Sequence, residues 1–125
     1  MADDVAKKER LRVRRLLKSA GVSDERIKML EPVIENVAWM RGKLEDTREV
    51  IKGSQVAIAY DNGGGQTGIR ENPAYKGYEA LWRAYMLGIA KILEALPAEV
   101  AKEEKKEIES DKPKNVLALV QARHA

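Results

Sequence analysis

The sequence predicts an all-α protein, in which a basic N-terminal helical segment precedes a long helical hairpin that forms an oligomerisation core. The prediction rests on two apolar stripes with alternating three- and four-residue spacing, the period at which side chains share one face of a helix. The only glycine-dense stretch, Asp61 to Gly68, separates the two stripes and would join the helices. Two such helices pack on each other or on copies of themselves.

The composition fits a single folded domain. The chain has 125 residues, of which 34% are charged and 44% hydrophobic, and these fractions argue against a disordered protein. The absence of cysteine excludes disulfides and thiolate metal sites. No apolar run approaches the roughly 20 residues of a membrane span, and the acidic start, Met1 to Asp4, is unlike a signal peptide. We therefore expect a cytoplasmic protein without membrane contact.

The first predicted helix covers residues 5–20 and is strongly basic. Val13, Leu16, Leu17 and Ala20 form a narrow apolar stripe, and Gly21 is placed to end the helix. Cations cover the remaining faces: Lys7, Lys8, Arg10, Arg12, Arg14, Arg15 and Lys18. Such a helix suits contact with the phosphates of nucleic acid. Because no aromatic residue lies among the cations, duplex DNA is favoured over single strands. The alternative is a basic face that is only solvated.

A second region of helix follows this segment. Ser23 can cap a short helix from Asp24 to about Leu30. Pro32 then either starts a new helix or kinks a longer one, and we favour the break. From Pro32 the helical pattern continues through about Gly53, with Tyr60 as its outer limit. The first apolar stripe consists of Ile27, Leu30, Ile34, Val37, Arg41, Leu44, Arg48 and Ile51.

Two arginines interrupt this stripe, Arg41 and Arg48, at equivalent positions one heptad apart. In one interpretation the stripe rotates onto Met40 and Val50 while the arginine stems lie along apolar surface and their charges reach water. In the other, the arginines cross to acidic residues of a partner helix or subunit and help to set the register of packing.

The last long helix is predicted to begin at Pro73, with Asn72 as its cap. One face of this helix carries a bulky stripe, which consists of Tyr75, Tyr78, Trp82, Tyr85, Ile89, Ile92 and Leu96. A second face carries mostly small residues: Gly77, Leu81, Ala84, Gly88 and Ala95. One face suffices for a hairpin, so the second face predicts oligomerisation. We assign the oligomer contacts to Ile34, Val37, Arg41, Leu44, Arg48, Ile51, Tyr75, Tyr78, Trp82, Tyr85, Ile89 and Ile92.

The remainder of the chain is a charged run followed by a short apolar segment. The Lys/Glu-rich run to Lys112 is predicted to be either a solvated helix or a flexible tether. Beyond Pro113, the apolar segment could dock on a partner or fold back on the chain's own core; it consists of Val116, Leu117, Leu119 and Val120. The predicted organisation is a DNA-binding segment in 1–31, a hairpin in 32–97, and a tether with a docking segment in 98–125.

No motif in the sequence predicts catalysis, a cofactor or a metal site. Gly63, Gly65 and Gly68 match the spacing of a dinucleotide-binding loop, but the further parallel strands that such a fold needs are not predicted. His124 is the only histidine, so no histidine-based metal cluster or catalytic triad can form. The acidic pair Glu45-Asp46, like Glu103-Glu104, would need ligands from elsewhere to bind a metal.

Residues from about 10 to 97 resemble the small terminase subunits of tailed bacteriophages and prophages. The resemblance is carried by the basic first helix and by two stretches, Gly21 to Ile51 (GVSDERIKMLEPVIENVAWMRGKLEDTREVI) and Arg70 to Pro97 (RENPAYKGYEALWRAYMLGIAKILEALP). The start of the last helix, Glu71 to Ala74, follows a glycine-bearing loop as in that group. Residues 5–31 are short for a complete helix-turn-helix domain, which argues against base-specific reading.

The resemblance implies a non-catalytic DNA-packaging role in the host-cell cytoplasm. Proteins of this family bind viral duplex DNA, assemble into homo-oligomeric rings through a central hairpin, and engage a large ATPase/nuclease subunit. On this chain, the seven cations of the first helix would contact DNA and the twelve stripe residues would form ring contacts. The segment Val116 to Val120 would bind the large terminase subunit. The alternative is a small helical adaptor or regulator without DNA binding, whose basic helix meets an acidic protein.

Overall fold

The chain forms helices joined by short turns, together with one β-ribbon. The computed structural model describes residues 2–53, 57–61, 67–71 and 73–112, with only the backbone for the strand residues. Within these ranges the elements are α1 (Ala2–Ser19), α2 (Asp24–Lys52), β1 (Ala57–Asp61), β2 (Thr67–Glu71), α3 (Pro73–Leu93) and α4 (Ala98–Ser110). The predicted helical character is confirmed, and the ribbon is an addition to it.

A four-residue turn reverses the chain between α1 and α2. Gly21 adopts a left-handed backbone conformation with φ of 84°. The N–H of Gly21 donates to the carbonyl of Lys18 and the N–H of Val22 to that of Leu17, at 3.1 and 3.0 Å, which is the Schellman pattern that ends helices. Ser23 Oγ then accepts the N–H of Arg26 at 3.2 Å and caps α2. Both the stop at Gly21 and the cap at Ser23 agree with the sequence analysis.

Helix α2 runs without interruption through Pro32, so the favoured break at this proline is wrong. Proline cannot donate to the carbonyl four residues before it, that of Lys28. Pro32 and Lys28 both lie on the exposed side of α2, where water can satisfy that carbonyl. On the opposite side, Ile27 and Ile34 are buried in the core. Burial of Ile27 before the proline and of Ile34 after it therefore outweighs the local preference of Pro32 for a helix end.

Helices α2 and α3 pack in opposite directions along their lengths. The guanidinium of Arg48 binds the hydroxyl of Tyr78, and Arg41 lies 5.7 Å from the ring centroid of Tyr85. The helices approach closely at Gly88, where an added Cβ would stand 2.6 Å from Cγ2 of Val37. The core between the helices contains Ile34, Val37, Met40, Leu44, Ile51, Tyr75, Tyr78, Trp82, Tyr85, Ile89 and Ile92.

The connection between α2 and α3 contains the antiparallel ribbon. Its register pairs Ala57 with Glu71 and Asp61 with Thr67. The glycine-dense stretch expected as a loop therefore begins and ends within paired strands, and its centre, residues 62–66, lies outside the described residues. Helix α2 ends before the ribbon, where the N–H of Gly53 donates to the carbonyl of Glu49.

The Lys/Glu-rich run forms helix α4, which is the helical alternative of the sequence analysis rather than the tether. Ile108 is the buried residue of α4 and joins the core of the bundle. Beyond the helix, Lys112 Nζ lies 2.8 Å from Glu79 Oε2 of α3. The segment Val116 to Val120, expected to dock on a partner, lies outside the described residues.

Candidate nucleic-acid interface

The structure divides the seven cations predicted to bind DNA into a half-buried group and an exposed group. Arg10, Arg12 and Arg14 are half-buried and face carboxylates of the same chain. The other four are exposed: Lys7, Lys8, Arg15 and Lys18. The charge of the first group is therefore largely neutralised within the fold, whereas that of the second group faces solvent.

Arg14 and Arg10 connect α1 to α2. Arg14 binds Glu31 through two parallel contacts, Nε to Oε1 at 2.9 Å and a terminal nitrogen to Oε2 at 2.5 Å. The hydrogen bond and charge of Arg14 hold the pKa of Glu31 below its ordinary value. Arg10 Nε lies 2.8 Å from Glu35 Oε1, as an ion pair whose N–H is not aligned for a hydrogen bond. These contacts fix the side of α1 that turns toward α2.

Arg12 belongs to a buried polar network centred on Glu9. Glu9 is only 6% exposed; it accepts hydrogen bonds from Arg12 Nε at 2.7 Å and from the hydroxyl of Tyr85. Burial raises the pKa of Tyr85, and the charge and hydrogen bond of Glu9 raise it further, so the tyrosine stays a donor. Arg12 also reaches Glu104 of α4 at 3.3 Å. Glu9 is not predicted as a site residue from the sequence, although it is the only acid among the basic residues of α1.

Arg41 and Arg48, left open by the sequence, both reach Asp111 just beyond α4. Arg41 contacts the Asp111 carboxylate, and Arg48 lies 3.3 Å from the same oxygen and 2.8 Å from the Asp111 carbonyl. Partial burial acts to raise the pKa of Asp111. The hydrogen bond and charge of Arg41, with the charge of Arg48, outweigh this effect and hold the pKa below its ordinary value. The two arginines therefore cross to another helix of the same chain.

These groups border a polar cavity of about 260 Å³ where the helices meet, with Glu9, Arg12, Arg41, Tyr85, Glu104 and Asp111 in its wall. Each of these side chains already has a partner in the network. The arrangement therefore holds α1, α3 and α4 together.

The exposed cations form one stripe along α1. Lys7, Lys8, Arg15 and Lys18 lie within about one quarter of the helix circumference at 100° per residue, and Leu11, 42% exposed, stands at the centre of the stripe. No carboxylate among the residues with described side chains lies within 4.0 Å of these four cations. From Lys7 to Lys18 the stripe is about 17 Å long at 1.5 Å per residue. It offers positive charge without competing partners in the described chain.

The twelve residues assigned to oligomer contacts lie inside the fold of one chain. The ten apolar and aromatic members are buried, and Arg41 and Arg48 are half-buried against Asp111 and the rings of Tyr85 and Tyr78. Their assignment to contacts between copies is therefore corrected, because their surface is already covered by neighbouring helices. Among the side chains that the structure describes, the large apolar ones that remain exposed are Leu11, Met29, Trp39, Val50 and Leu87.

Two further properties of the described residues concern metal ions and membranes. No group of three or more histidine, cysteine, aspartate or glutamate side chains in these ranges is arranged to hold a metal ion. Across the same ranges, no helix combines the length and the apolar character that crossing a membrane requires.

Comparison with known proteins yields no match to a family model, to a curated protein or to a solved structure. The function of this chain is therefore inferred from its own side chains and their arrangement. The resemblance to terminase small subunits stays a hypothesis derived from the sequence.

Proposed function

We propose that this protein binds duplex DNA through the exposed face of α1 and acts as the DNA-recognition subunit of a phage packaging terminase. The observation that carries the proposal is the stripe of Lys7, Lys8, Arg15 and Lys18, four exposed cations on one helix face. Clustered cations of this kind supply affinity for phosphates and release the counterions condensed on DNA. Contacts of this type position a protein on DNA without reading its sequence.

The chemistry of α1 supports a duplex as the ligand. The helix contains no aromatic residue, so it lacks the stacking surface on which proteins hold unpaired bases. The stripe is straight and about 17 Å long, and a duplex presents one charge per roughly 1.7 Å of its axis. Several phosphates can therefore meet the four cations at once.

The test is the salt dependence of binding to duplex DNA. If four phosphates are contacted, the slope of log K against log salt concentration is about −3.6, and affinity falls on the order of 10²-fold between 50 and 200 mM salt. Replacing Lys7, Lys8, Arg15 and Lys18 by Ala should abolish most of this slope. Fluorescence anisotropy with a labelled duplex at several salt concentrations measures both quantities.

A matched control removes the same charge from other surfaces of the chain. The control carries four Lys→Ala changes at exposed positions outside α1: Lys28, Lys76, Lys102 and Lys106. It should keep the slope of the parent protein. Equal loss in both variants would indicate a response to net charge alone, and an unchanged slope in the α1 variant would contradict the proposed interface.

The homo-oligomeric ring implied by the family resemblance needs surface outside the twelve residues first assigned to it, because the fold of one chain already covers them. Met29, Trp39 and Val50 on α2 offer exposed apolar side chains for such contacts, and Trp39 is 56% exposed. We expect a mass well above the 14.0 kDa of one chain in light scattering, and a lower mass when Trp39 is replaced by Ser. A monomer throughout the micromolar range would contradict the ring. The large terminase subunit remains the partner proposed for Val116 to Val120.

A second candidate function is a helical adaptor without DNA binding, and Leu11 favours it. This leucine stands among four cations, so the stripe would also suit an amphipathic helix with acidic flanks. The variant Leu11→Ala separates the two functions, because phosphate contact does not require the leucine. Unchanged DNA affinity in this variant supports DNA binding through the cations of the stripe, as the terminase role requires. Absence of duplex binding in the parent protein, at any salt concentration, favours the adaptor.

A further inference from the structure

A wide apolar groove lies between α3 and α4. It has a volume of about 870 Å³, and the α3 side presents Trp82, Met86, Ala90 and Leu93. The α4 side presents Ala98 and Ala101, whose small side chains leave space between the two helices, together with Lys102 and Lys105 at the rim. An apolar channel of this size at a protein surface is typical of a binding site.

We propose that the segment Val116 to Val120 of the same chain occupies this groove. The position of α4 supplies the first argument. The helix ends at Ser110, and Glu109 lines the groove beside Trp82. Lys112 is held at this end as well, because it binds Glu79, three residues before Trp82 on α3. Residue 113 therefore starts beside one end of the groove.

The length of the chain supplies the second argument. Along α4 the groove extends from Glu109 to Ala98, about 17 Å at 1.5 Å per residue. Four residue steps from Lys112 to Val116 reach at most about 14 Å, and Pro113 disfavours a direct continuation of α4. Residues 113–125 can thus turn back and place Val116 to Val120 within the groove.

The chemistry of the segment supplies the third argument. Residues 115–122 carry no charge, and four of them have the aliphatic side chains Val116, Leu117, Leu119 and Val120. These match a groove whose floor is formed by Trp82, Met86 and Leu93. Because the connection is only a few residues long, the segment is present at an effective concentration in the millimolar range, far above that of a second copy at micromolar protein. The inference is independent of DNA binding by α1, and it requires the segment to leave the groove whenever it binds the large terminase subunit.

Disulfide trapping in the full chain tests the inference. The sequence contains no cysteine, so Ala101→Cys with Leu117→Cys forms one defined pair across the groove. The control pair is Glu103→Cys with Leu117→Cys, because Glu103 is exposed and does not line the groove. In a glutathione redox buffer, we expect the effective concentration of the groove pair to exceed that of the control at least about tenfold.

The mass of the cross-linked product identifies the occupant. A product with the mass of one chain supports the proposal. Equal effective concentrations for the two pairs would overturn it. A product with the mass of two chains would also overturn it, because the occupant would then be a second copy.

Hydrogen exchange of the full chain keeps the inference testable if a cysteine variant folds poorly. Replacing Leu117 and Val120 by Ser should speed amide exchange in residues 86–94 and 98–105 by about tenfold or more, while α1 and α2 exchange as before. Lys114→Ser serves as the control outside the apolar segment. Unchanged exchange along the groove in the double variant would contradict the inference.

Discussion

Helices α1 and α4 attach to the central pair α2 and α3 by different physical means. Helix α1 buries Val13 and Leu17 almost completely, and its backbone approaches α2 so closely that a Cβ on Gly42 would stand 2.6 Å from the carbonyl oxygen of Ala2. Helix α4 contributes a single buried residue, Ile108, and charged contacts at Glu104 and beyond its end. Helix α1 is therefore part of the main core, whereas α4 packs at the edge of that core and is attached mainly by charged contacts.

The largest expected effect comes from truncating the buried anchor of each helix. Leu17→Ala should lower the free energy of unfolding by roughly 2–5 kcal/mol, because Leu17 is 0% exposed and the cavity lies in the main core. Ile108→Ala should cost no more than about 2 kcal/mol, because α4 can move to fill the space. Urea denaturation measures the loss, and hydrogen exchange shows which helix opens. Equal losses with global opening in both variants would contradict the comparison.

A pair of glycine substitutions tests the close approach of α1 to α2. Gly42→Ala should destabilise the protein by about 1–3 kcal/mol, because the new methyl group meets backbone rather than a flexible side chain. Gly77→Ala has nothing within 4 Å of its Cβ; it should stabilise α3 by about 0.5–1 kcal/mol through helix propensity. Thermal denaturation of both variants provides the measurement. A stabilising Gly42→Ala would mean that α1 packs less closely than described.

The smallest expected effect is a loss of α4 stability at low pH. The folded pKa of Asp111 is depressed, so its ion pairs contribute stability above the unfolded value near 4, and this contribution is lost as the pH falls through the folded pKa. Because Asp111 is 42% exposed, the contribution is at most about 1 kcal/mol. Protection factors of α4 should therefore fall as the pH is lowered below the ordinary pKa of an aspartate, near 4.

A comparison with α1 and a pair of variants make the low-pH experiment specific to α4. Glu31, bound to Arg14, has the same direction of pKa shift, but the apolar contacts of α1 should keep that helix protected. Asp111→Asn should already show reduced α4 protection at pH 7, whereas Glu109→Gln, at an exposed pair of 4.0 Å, should not. Loss of α1 protection before that of α4 would contradict the comparison.

Local signals in the sequence predicted the local features of the fold. Gly21, Ser23 and Pro73 mark helix ends as expected, because each acts through its own backbone or side chain within a few residues. The bulky stripe from Tyr75 to Ile92 is buried as its spacing indicates. Pro32 was misjudged, because packing of Ile27 and Ile34 against the core is not visible in a local rule.

The ion pairs between residues far apart in the chain were not predictable from the sequence. The partners of Arg14 and Arg12, Glu31 and Glu104, are 17 and 92 residues away, and the spacing of apolar residues does not encode such pairs. In the sequence, the seven cations of α1 therefore look like one basic group. In the fold, three of them pair with carboxylates and four are exposed. The second face of α3, from which oligomerisation is predicted, is partly covered within the chain, because Gly88 on this face lies against Val37 of α2.

The hydrogen bond between Tyr85 and Glu9 has a consequence for the order of folding. The two residues are 76 positions apart, and closing a flexible loop of that length costs about 4 kcal/mol in chain entropy. Pairing α1 with α2 and α2 with α3 shortens that loop, because each pairing joins sequence neighbours. The bond should therefore form after both pairings, so Tyr85→Phe should speed unfolding while leaving the refolding rate almost unchanged.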